Sequence, residues 1–332
     1  MKPYSGIISL FIFFCCTSPT CFADTDWMSV TLDNDLFLGN DNGYTNGLYI
    51  ASFDVGTAQA DDLPKPQFWV KPLLWSMPDS HAIDGAASAY TFGQTMNTPS
   101  DIRIANPATN ELPYSALLAL THHYLTVTEN SADLASTTVG VVGPAALGEQ
   151  SQKFVHDVIE ADEPQGWDTQ LGNEVVFQLT RARAQQYWQS ESGRMDLVTN
   201  ITGNLGTISS AVSTGAIFRF GKGLMHSYAT TLFNSSRTSN PTNINKGWYF
   251  YTGLQAGYTF NNIFADGNTF RDSRSIDYDP EFISILSGIS YAWGNISVTL
   301  SLNDNNILQS GSNELVLEEL TQYGSISLAW RL

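Results

Sequence analysis

The chain has 332 residues and a formal net charge of −17 at pH 7, from 15 basic and 32 acidic side chains. Nucleic-acid binding needs a basic surface, so we expect no nucleic-acid partner. The three cysteines all lie within residues 1–21. The rest of the chain therefore has no disulfide, no cysteine nucleophile and no cysteine-ligated metal.

Residues 1–23 have the three parts of a secretory signal peptide. Lys2 gives a positive start, an apolar run extends from Ile7 to Cys16, and the segment ends in the small residue Ala23. About ten apolar residues are too few for a membrane anchor, which needs about 20. We expect cleavage after Ala23 and one mature domain, residues 24–332. Such an exported chain is either a soluble periplasmic protein or a transmembrane barrel.

Hydrophobic and polar residues alternate strictly in the second half of the chain. The clearest apolar face contains Trp248, Phe250, Leu254, Ala256, Tyr258 and Phe260. Such runs are longer than the 5–6 residues typical of soluble sandwich strands and match tilted membrane-spanning strands. Aromatic residues at both ends of the face predict two interfacial girdles. The pattern favours the transmembrane barrel.

Twelve strands are predicted along the chain. They lie near 27–36, 44–55, 87–97, 113–127, 132–143, 173–189, 194–204, 206–220, 248–260, 283–293, 296–302 and 326–332. A glycine-containing turn from Thr202 to Gly206 is expected between the seventh and eighth strands. An even count places both termini in the periplasm, with 56–86 and 221–245 as long periplasmic connections. The predicted fold is an all-β, 12-stranded antiparallel transmembrane β-barrel.

The segment from Gly148 to Asp162 interrupts the strand pattern. It contains good helix formers and has apolar residues at helical spacing. We predict a short helix in an extracellular loop at the barrel rim. Gln152 and His156 are one turn apart and share one face of this helix.

His156 is the best-placed candidate base among the five histidines of the chain. A hydrolase without a cysteine needs a serine nucleophile or a base that activates water. The sequence has no Gly-x-Ser-x-Gly elbow and no His-Glu-x-x-His zinc motif. The alternative is that His156 is a polar helix residue facing solvent.

A second polar cluster follows the first strand, where Asp33, Asn34 and Asp35 precede the motif Tyr44-Thr45-Asn46-Gly47. Carboxylate and amide oxygens suit a hard cation such as Ca²⁺, although the same residues are common in turns. If the first strand runs outward, the 36–44, 98–112 and 144–172 loops emerge together on the extracellular side. This topology brings the cluster, Arg103 and the His156 helix to one rim, as expected of a site.

At these residues the chain resembles the lipid A 3′-O-deacylase family of outer-membrane enzymes. The matching stretches are Asp33–Phe37, Tyr44–Gly47, Gly93–Met96 with Thr98-Pro99, Gly140–Gln152 with His156, Gly166–Glu174 and Asp266–Asp272. The resemblance covers essentially the whole mature chain, and the block from Gly143-Pro144 to His156 is its most specific part.

The resemblance implies a 12-stranded barrel in the bacterial outer membrane, with an active site between its outer wall and a short helix. It implies Ca²⁺-dependent hydrolysis of the ester-linked acyl group at the 3′ position of lipid A, within lipopolysaccharide. His156 is then the general base, Asp35 the calcium ligand, and Asn34, Thr45 and Gln152 catalytic-site residues. Calcium, helped by an amide, would steady the oxyanion.

Two further positions follow from the resemblance as substrate-binding residues. Arg103 lies near the place where the family has a basic residue after the third strand, although no lysine is present there. Asp162 provides the carboxylate expected six residues after the catalytic histidine. A monomer is expected.

Two other functions remain open. The first is an outer-membrane phospholipase that uses the same machinery. The second is a non-enzymatic barrel, serving as a porin, an adhesin or a structural protein. A lumen filled with interlocking polar side chains would favour a scaffold, and an open lumen would favour conduction.

Overall fold

The computed structural model describes residues 25–34, 44–58, 62–78, 83–224, 232, 246–304 and 323–332. The predicted signal peptide, residues 1–23, lies outside these ranges. The described strands form a closed barrel in which each strand pairs with its chain neighbours and β1 pairs antiparallel with β12. The prediction of a 12-stranded antiparallel β-barrel with a short rim helix is confirmed.

The strands are β1 (Trp27–Asn34), β2 (Tyr44–Thr57), β3 (Gly85–Asn97), β4 (Ser115–Val127), β5 (Ser131–Val142), β6 (Glu174–Gln189), β7 (Met195–Gly206), β8 (Ser209–Lys222), β9 (Lys246–Asn262), β10 (Glu281–Trp293), β11 (Ile296–Asp304) and β12 (Tyr323–Arg331). The helices are α1 (Lys71–Leu74), α2 (Gly148–Ile159) and α3 (Ile263–Asp266), and 3₁₀ turns span Phe68–Val70, Pro144–Ala146 and Trp167–Thr169. Among the described residues, no helix is long and apolar enough to cross a membrane.

The barrel has two rims. The terminal rim is where β1 begins at Trp27 and β12 ends at Arg331, and the helical rim is where β1 ends at Asn34 and β5 ends at Val142. Both long connections predicted at 56–86 and 221–245 leave from the terminal rim. The other turns of that rim are short and span 128–130, 190–194 and 294–295.

The turn between β7 and β8 differs from the prediction. It lies at Thr207 and Ile208 on the helical rim, rather than at 202–206. Gly206 remains in β7, paired with Gln178 of β6. A Cβ at Gly206 would lie 2.2 Å from the Phe177 carbonyl oxygen. The glycine is therefore needed for close strand approach and not for the turn.

The outer wall is apolar and has aromatic residues near both rims. Leu120, Val139 and Leu254 are about half-exposed at mid-wall, as lipid-facing side chains are. Aromatic pairs near the terminal rim are Phe220 with Trp248 and Tyr291 with Trp293, at 5.8 and 5.4 Å between ring centroids. Tyr258 and Phe260 form a pair near the helical rim, at 5.0 Å. The two predicted girdles are present on β8–β10.

The lumen is filled with paired polar side chains. Arg219 and Asp196 are fully buried and form a bidentate ion pair, with Nε–Oδ1 at 2.9 Å and Nη2–Oδ2 at 2.5 Å. Other cross-strand pairs that face the lumen are Thr31 with Ser327, Thr121 with Thr138, His123 with Ser136, and Thr180 with Asn204. A cavity of about 200 Å³ lies between these side chains. The described lumen is therefore a packed interior.

Residues 62–78 fold back from the terminal rim and pack on the outside of the wall. Val70 is fully buried against Ala86, Tyr124 and Ala135. The Arg181 guanidinium donates from Nε to Ser76 Oγ at 2.8 Å. This segment covers a polar band of the outer face, whereas the sequence predicts only a long connection there.

Candidate active site at the helical rim

Helix α2 lies on the outside of the barrel, against β3 and β4. Gln94 shares the outer face of β3 with the exposed Phe92, and its amide donates to the Ala146 carbonyl at 2.5 Å, just before the helix. A Cβ at Gly148 would lie 2.4 Å from Ala116 Cβ of β4. Glycine at the first helical position therefore lets the helix approach the wall closely.

Gln152 is held between helix and wall by Trp167. Its side chain is buried, and its Oε1 accepts a hydrogen bond from the indole Nε1 of Trp167 at 2.7 Å. Trp167 packs in turn on the ring of Tyr114, at 5.1 Å between centroids. The Gln152 Nε2 has no hydrogen-bond partner among the described residues. Because a buried amide donor without a partner is costly, such a group is a candidate for contact with a ligand.

His156 lies one turn after Gln152 and is half-buried. Its Nδ1 is 2.5 Å from the backbone carbonyl oxygen of Asp162. A carbonyl oxygen only accepts hydrogen bonds, so Nδ1 carries the proton and donates. In the neutral ring, Nε2 then has the free lone pair that a general base requires.

A left-handed residue makes this contact possible. Glu160 follows α2 with φ +55°, and its backbone N–H bonds to the His156 carbonyl. The chain reverses there, and the Asp162 carbonyl reaches the ring of His156. Few residues other than glycine, asparagine and aspartate adopt this conformation readily.

The family resemblance predicts that the Asp162 carboxylate binds substrate. In the structure, Asp162 contacts His156 through its backbone carbonyl. Its side chain is exposed and is close enough to Arg103 for its charge to act on the guanidinium. The hydrogen bond with Asp101 raises the pKa of the Arg103 guanidinium, and the charge of Asp162 raises it further. The same hydrogen bond from Arg103 lowers the pKa of Asp101. Arg103, Asp162 and His156 are therefore close together, as expected.

One hydrogen bond and one ring contact join the loops that carry these residues. The Gln165 N–H donates to the Ile102 carbonyl at 2.8 Å, and Tyr114 packs on Trp167. Within its own loop, the Tyr114 hydroxyl donates to the same carbonyl of Ile102 at 3.0 Å. Burial between the loops raises the pKa of Tyr114 to about 12, so the hydroxyl stays protonated and remains a donor at neutral pH.

The acidic cluster is divided by strand alternation. Asp33 faces the lumen, is fully buried and accepts a hydrogen bond from Ser325 at 2.5 Å. Asn34 shares the outer face of β1 with the exposed Leu32. Asp35 and the side chain of Thr45 lie outside the described residues. Asp33 is adjacent to Asn34 and Asp35 in the sequence but does not belong to the outer site.

Among the residues that the structure describes, no three His, Cys, Asp or Glu side chains lie together as a metal site. The amide oxygen of Asn34 and the carboxylate of Asp35 are nevertheless hard oxygen donors, and donors of this type fit Ca²⁺. The calcium site thus remains a prediction on these two residues.

Comparison with known proteins identifies the family. The family model described as outer membrane protein LpxR matches residues 7–332. The chain belongs to the LpxR family. This confirms the resemblance to the lipid A 3′-O-deacylases and places the protein in the outer membrane.

Solved structures agree with this assignment at the level of the fold. The barrel is similar to LpxR from Salmonella typhimurium, with a TM-score of 0.72 and 15% identity over 92% of this chain and all of the other. The KdgM porin in complex with disordered oligogalacturonate also matches 92% of this chain and 99% of that one, at 4% identity. Its TM-score of 0.35 is too low to support an argument. A search of curated proteins gives no match.

A third loop of this LpxR-family barrel contacts the loop that carries α2. It contains the motif Asp266–Asp272, for which the sequence predicts no role. Asn268 makes two hydrogen bonds of 2.9 Å, to the backbone N–H and carbonyl of Gly172. The Glu174 carboxylate accepts from the N–H groups of Thr269 and Phe270, at 3.0 and 3.1 Å. The motif therefore clamps the loop that carries α2.

Trp167 was also missed as a functional residue. Trp167 lies within the matching stretch Gly166–Glu174, from which the sequence predicts no role for it. Its partner Gln152 is 15 residues away in sequence, so only the packing of the loop on β4 brings the indole to the amide.

Proposed function

We propose that this LpxR-family protein is a Ca²⁺-dependent hydrolase that removes the ester-linked acyl group at the 3′ position of lipid A. The observation that carries the proposal is the hydrogen bond from His156 Nδ1 to the Asp162 carbonyl. It leaves Nε2 free to accept a proton, one helical turn from the unpartnered amide N–H group of Gln152.

In the proposed reaction, His156 Nε2 takes a proton from a water molecule as its oxygen attacks the ester carbonyl. The amide N–H of Gln152 donates to the oxygen that becomes negative. His156 then returns the proton to the leaving sugar oxygen as the ester C–O bond breaks. A positioned general base contributes about 10²–10⁴-fold, and one oxyanion donor about 10²–10³-fold.

Asp35, with Asn34 beside it, would hold the calcium ion, and a bound ion would supply positive charge close to the developing oxyanion. We propose that Thr45 supports this part of the site. Arg103 would bind the anionic groups of lipid A, because its guanidinium is largely exposed although already engaged with Asp101. Arginine suits phosphate through its planar array of donors.

We also propose that the helical rim faces the cell exterior. The helical rim has the long segments 98–114, 143–173 and 263–280 beside the two-residue turn at 207–208. The terminal rim has the short turns 128–130, 190–194 and 294–295 beside the two long connections. Bacterial outer-membrane barrels have short periplasmic turns and longer extracellular loops. This orientation places His156 on the side of the outer leaflet, in which lipid A resides.

The filled lumen argues against conduction. The buried Arg219–Asp196 pair and the hydroxyl pairs around it would have to separate before ions could pass. A phospholipase with the same catalytic groups remains the second candidate function, because His156 and Gln152 suit any carboxylic ester.

The test is a direct comparison of substrates. Purified protein with Ca²⁺ is offered lipid A or phosphatidylethanolamine, and products are identified by mass spectrometry. Release of the 3′-linked acyl group from lipid A only, and its absence with His156→Ala, supports the proposal. Hydrolysis of phosphatidylethanolamine alone would establish the phospholipase. If neither lipid is cleaved and planar bilayers show conductance, the hydrolase proposal is wrong.

A further inference from the structure

Helix α2 has a second surface that the catalytic proposal does not use. Four of its apolar side chains are solvent-exposed in the structure: Phe154, Val155, Val158 and Ile159, with exposed fractions of 60%, 38%, 67% and 59%. At 100° per residue they occupy one arc, which begins beside Gln152 and continues to the side of the helix remote from the wall. We call these four residues the apolar flank.

The opposite flank of α2 is charged. Glu149, Lys153 and Asp157 follow each other at intervals of four residues, and Glu160 comes directly after the helix. Lys153 pairs with Glu149 at 2.9 Å and with Glu163 at 3.6 Å. The helix thus presents one buried edge to the wall, one apolar flank and one charged flank. Segregation of this kind is typical of helices that lie in a membrane interface.

The apolar flank is also close to the lipid-facing wall. The helix packs on the outer face of β3 and β4, whose exposed residues Phe92 and Leu120 belong to the apolar belt. Leu147, just before the helix, and Ile104, in the adjacent loop, are likewise about half-exposed. Exposing this many apolar side chains to water would be unfavourable. A contiguous apolar patch of this kind marks an interaction surface.

We propose that the apolar flank of α2 is inserted among the acyl chains of the outer leaflet, while its charged flank faces the water above. The occupant of this surface is the acyl-chain layer that surrounds the barrel at the helical rim. The proposal rests on the proposed function for the orientation of the barrel in the membrane. If His156 is the base, Val155 and Ile159 guide an acyl chain to it, because they border the helix edge with Gln152 and His156.

The depth of each flank can be measured with nitroxide labels, because no cysteine occurs after Cys21. Single variants Val158→Cys and Phe154→Cys are labelled in the full barrel and reconstituted in dimyristoyl phosphatidylcholine vesicles. Asp157→Cys on the charged flank is the matched control, and Val139→Cys on the wall of β5 is the lipid-facing reference. All four positions are exposed, so the substitutions should not disturb folding.

We expect labels at 154 and 158 to collide with a water-soluble nickel complex several-fold less often than the label at 157. Their collisions with oxygen should match those at 139. Equal nickel accessibility at 157 and 158 would overturn the proposal. The measurement needs no turnover, so an inactive barrel with a lipid-buried label at 158 contradicts the proposed function and leaves the insertion surface standing.

Discussion

The proton on Nδ1 of His156 is held by the backbone carbonyl of Asp162, at 2.5 Å, rather than by a carboxylate. A carbonyl fixes the tautomer and the orientation of the ring as an aspartate does. The carbonyl carries no net charge, and its position depends on the backbone geometry rather than on the side chain of residue 162. Substitutions at Asp162 and at Glu160 therefore test the side chain and the backbone separately.

We predict that Asp162→Asn retains kcat within a few-fold, because the carbonyl that accepts from His156 is unchanged. KM for an anionic substrate should change modestly, since the substitution removes a charge close to Arg103. Steady-state kinetics of deacylation provide the measurement. A loss of kcat comparable to that of His156→Ala would mean that the carboxylate, and not the carbonyl, serves the base.

The left-handed turn at Glu160 gives a second test of the same contact. Glu160→Gly should retain kcat, because glycine adopts φ +55° without a steric penalty. Glu160→Val should lower kcat several-fold, since a β-branched residue resists this conformation and would displace the Asp162 carbonyl. Similar kcat values for the two variants, in barrels of equal thermal stability, would contradict the proposed positioning.

Gln152→Met removes the unpartnered amide N–H group, together with the oxygen that bonds to Trp167, and keeps the length of the side chain. We expect a decrease in kcat of about 10²–10³-fold if Nε2 donates to the oxyanion. Leaving the Trp167 indole N–H unpaired should also cost about 1–3 kcal/mol of stability. Gln170→Met is the matched control, because among the described residues its amide bonds only to the Trp167 carbonyl. Equal activity of both variants would remove Gln152 from the mechanism.

Calcium removal should abolish activity and leave the barrel folded, since the barrel closes through its own strand pairs. Asp35→Asn should raise the calcium concentration needed for half-maximal activity. Asp33→Asn should leave that concentration unchanged, because Asp33 faces the lumen and bonds to Ser325. Titration of activity with Ca²⁺ in a chelator buffer measures both. Full activity in excess chelator would contradict a metal-dependent mechanism.

Much of the fold could be predicted from period-two alternation, because every wall residue faces either lipid or lumen. The same rule separates Asp33 from Asn34, since Leu32 on the lipid side forces its neighbour inward. The segment 62–78 was harder to predict. The sequence feature that indicates it is a polar band on the outer face, formed by His122, Thr137 and Arg181. These side chains have to be covered or paired, and residues of the segment contact all three.

The candidate site could be predicted only in part. Helical spacing places Gln152 and His156 on one face, and the family resemblance supplies their roles. The partners of both side chains depend on loop conformation. The Asp162 carbonyl reaches His156 through a positive φ at a glutamate, which no local propensity favours. Trp167 reaches Gln152 because the loop packs on β4.

The most direct test of the proposed function is mass spectrometry of lipid A from cells that express either the wild-type protein or His156→Ala. We predict that the wild-type protein removes the 3′-linked acyl or acyloxyacyl group, and that the variant inserts normally but leaves lipid A intact. Identical lipid A from both strains, with Ca²⁺ present and both barrels inserted, would contradict the deacylase assignment. Deacylation that persists in the variant would instead exclude His156 as the base.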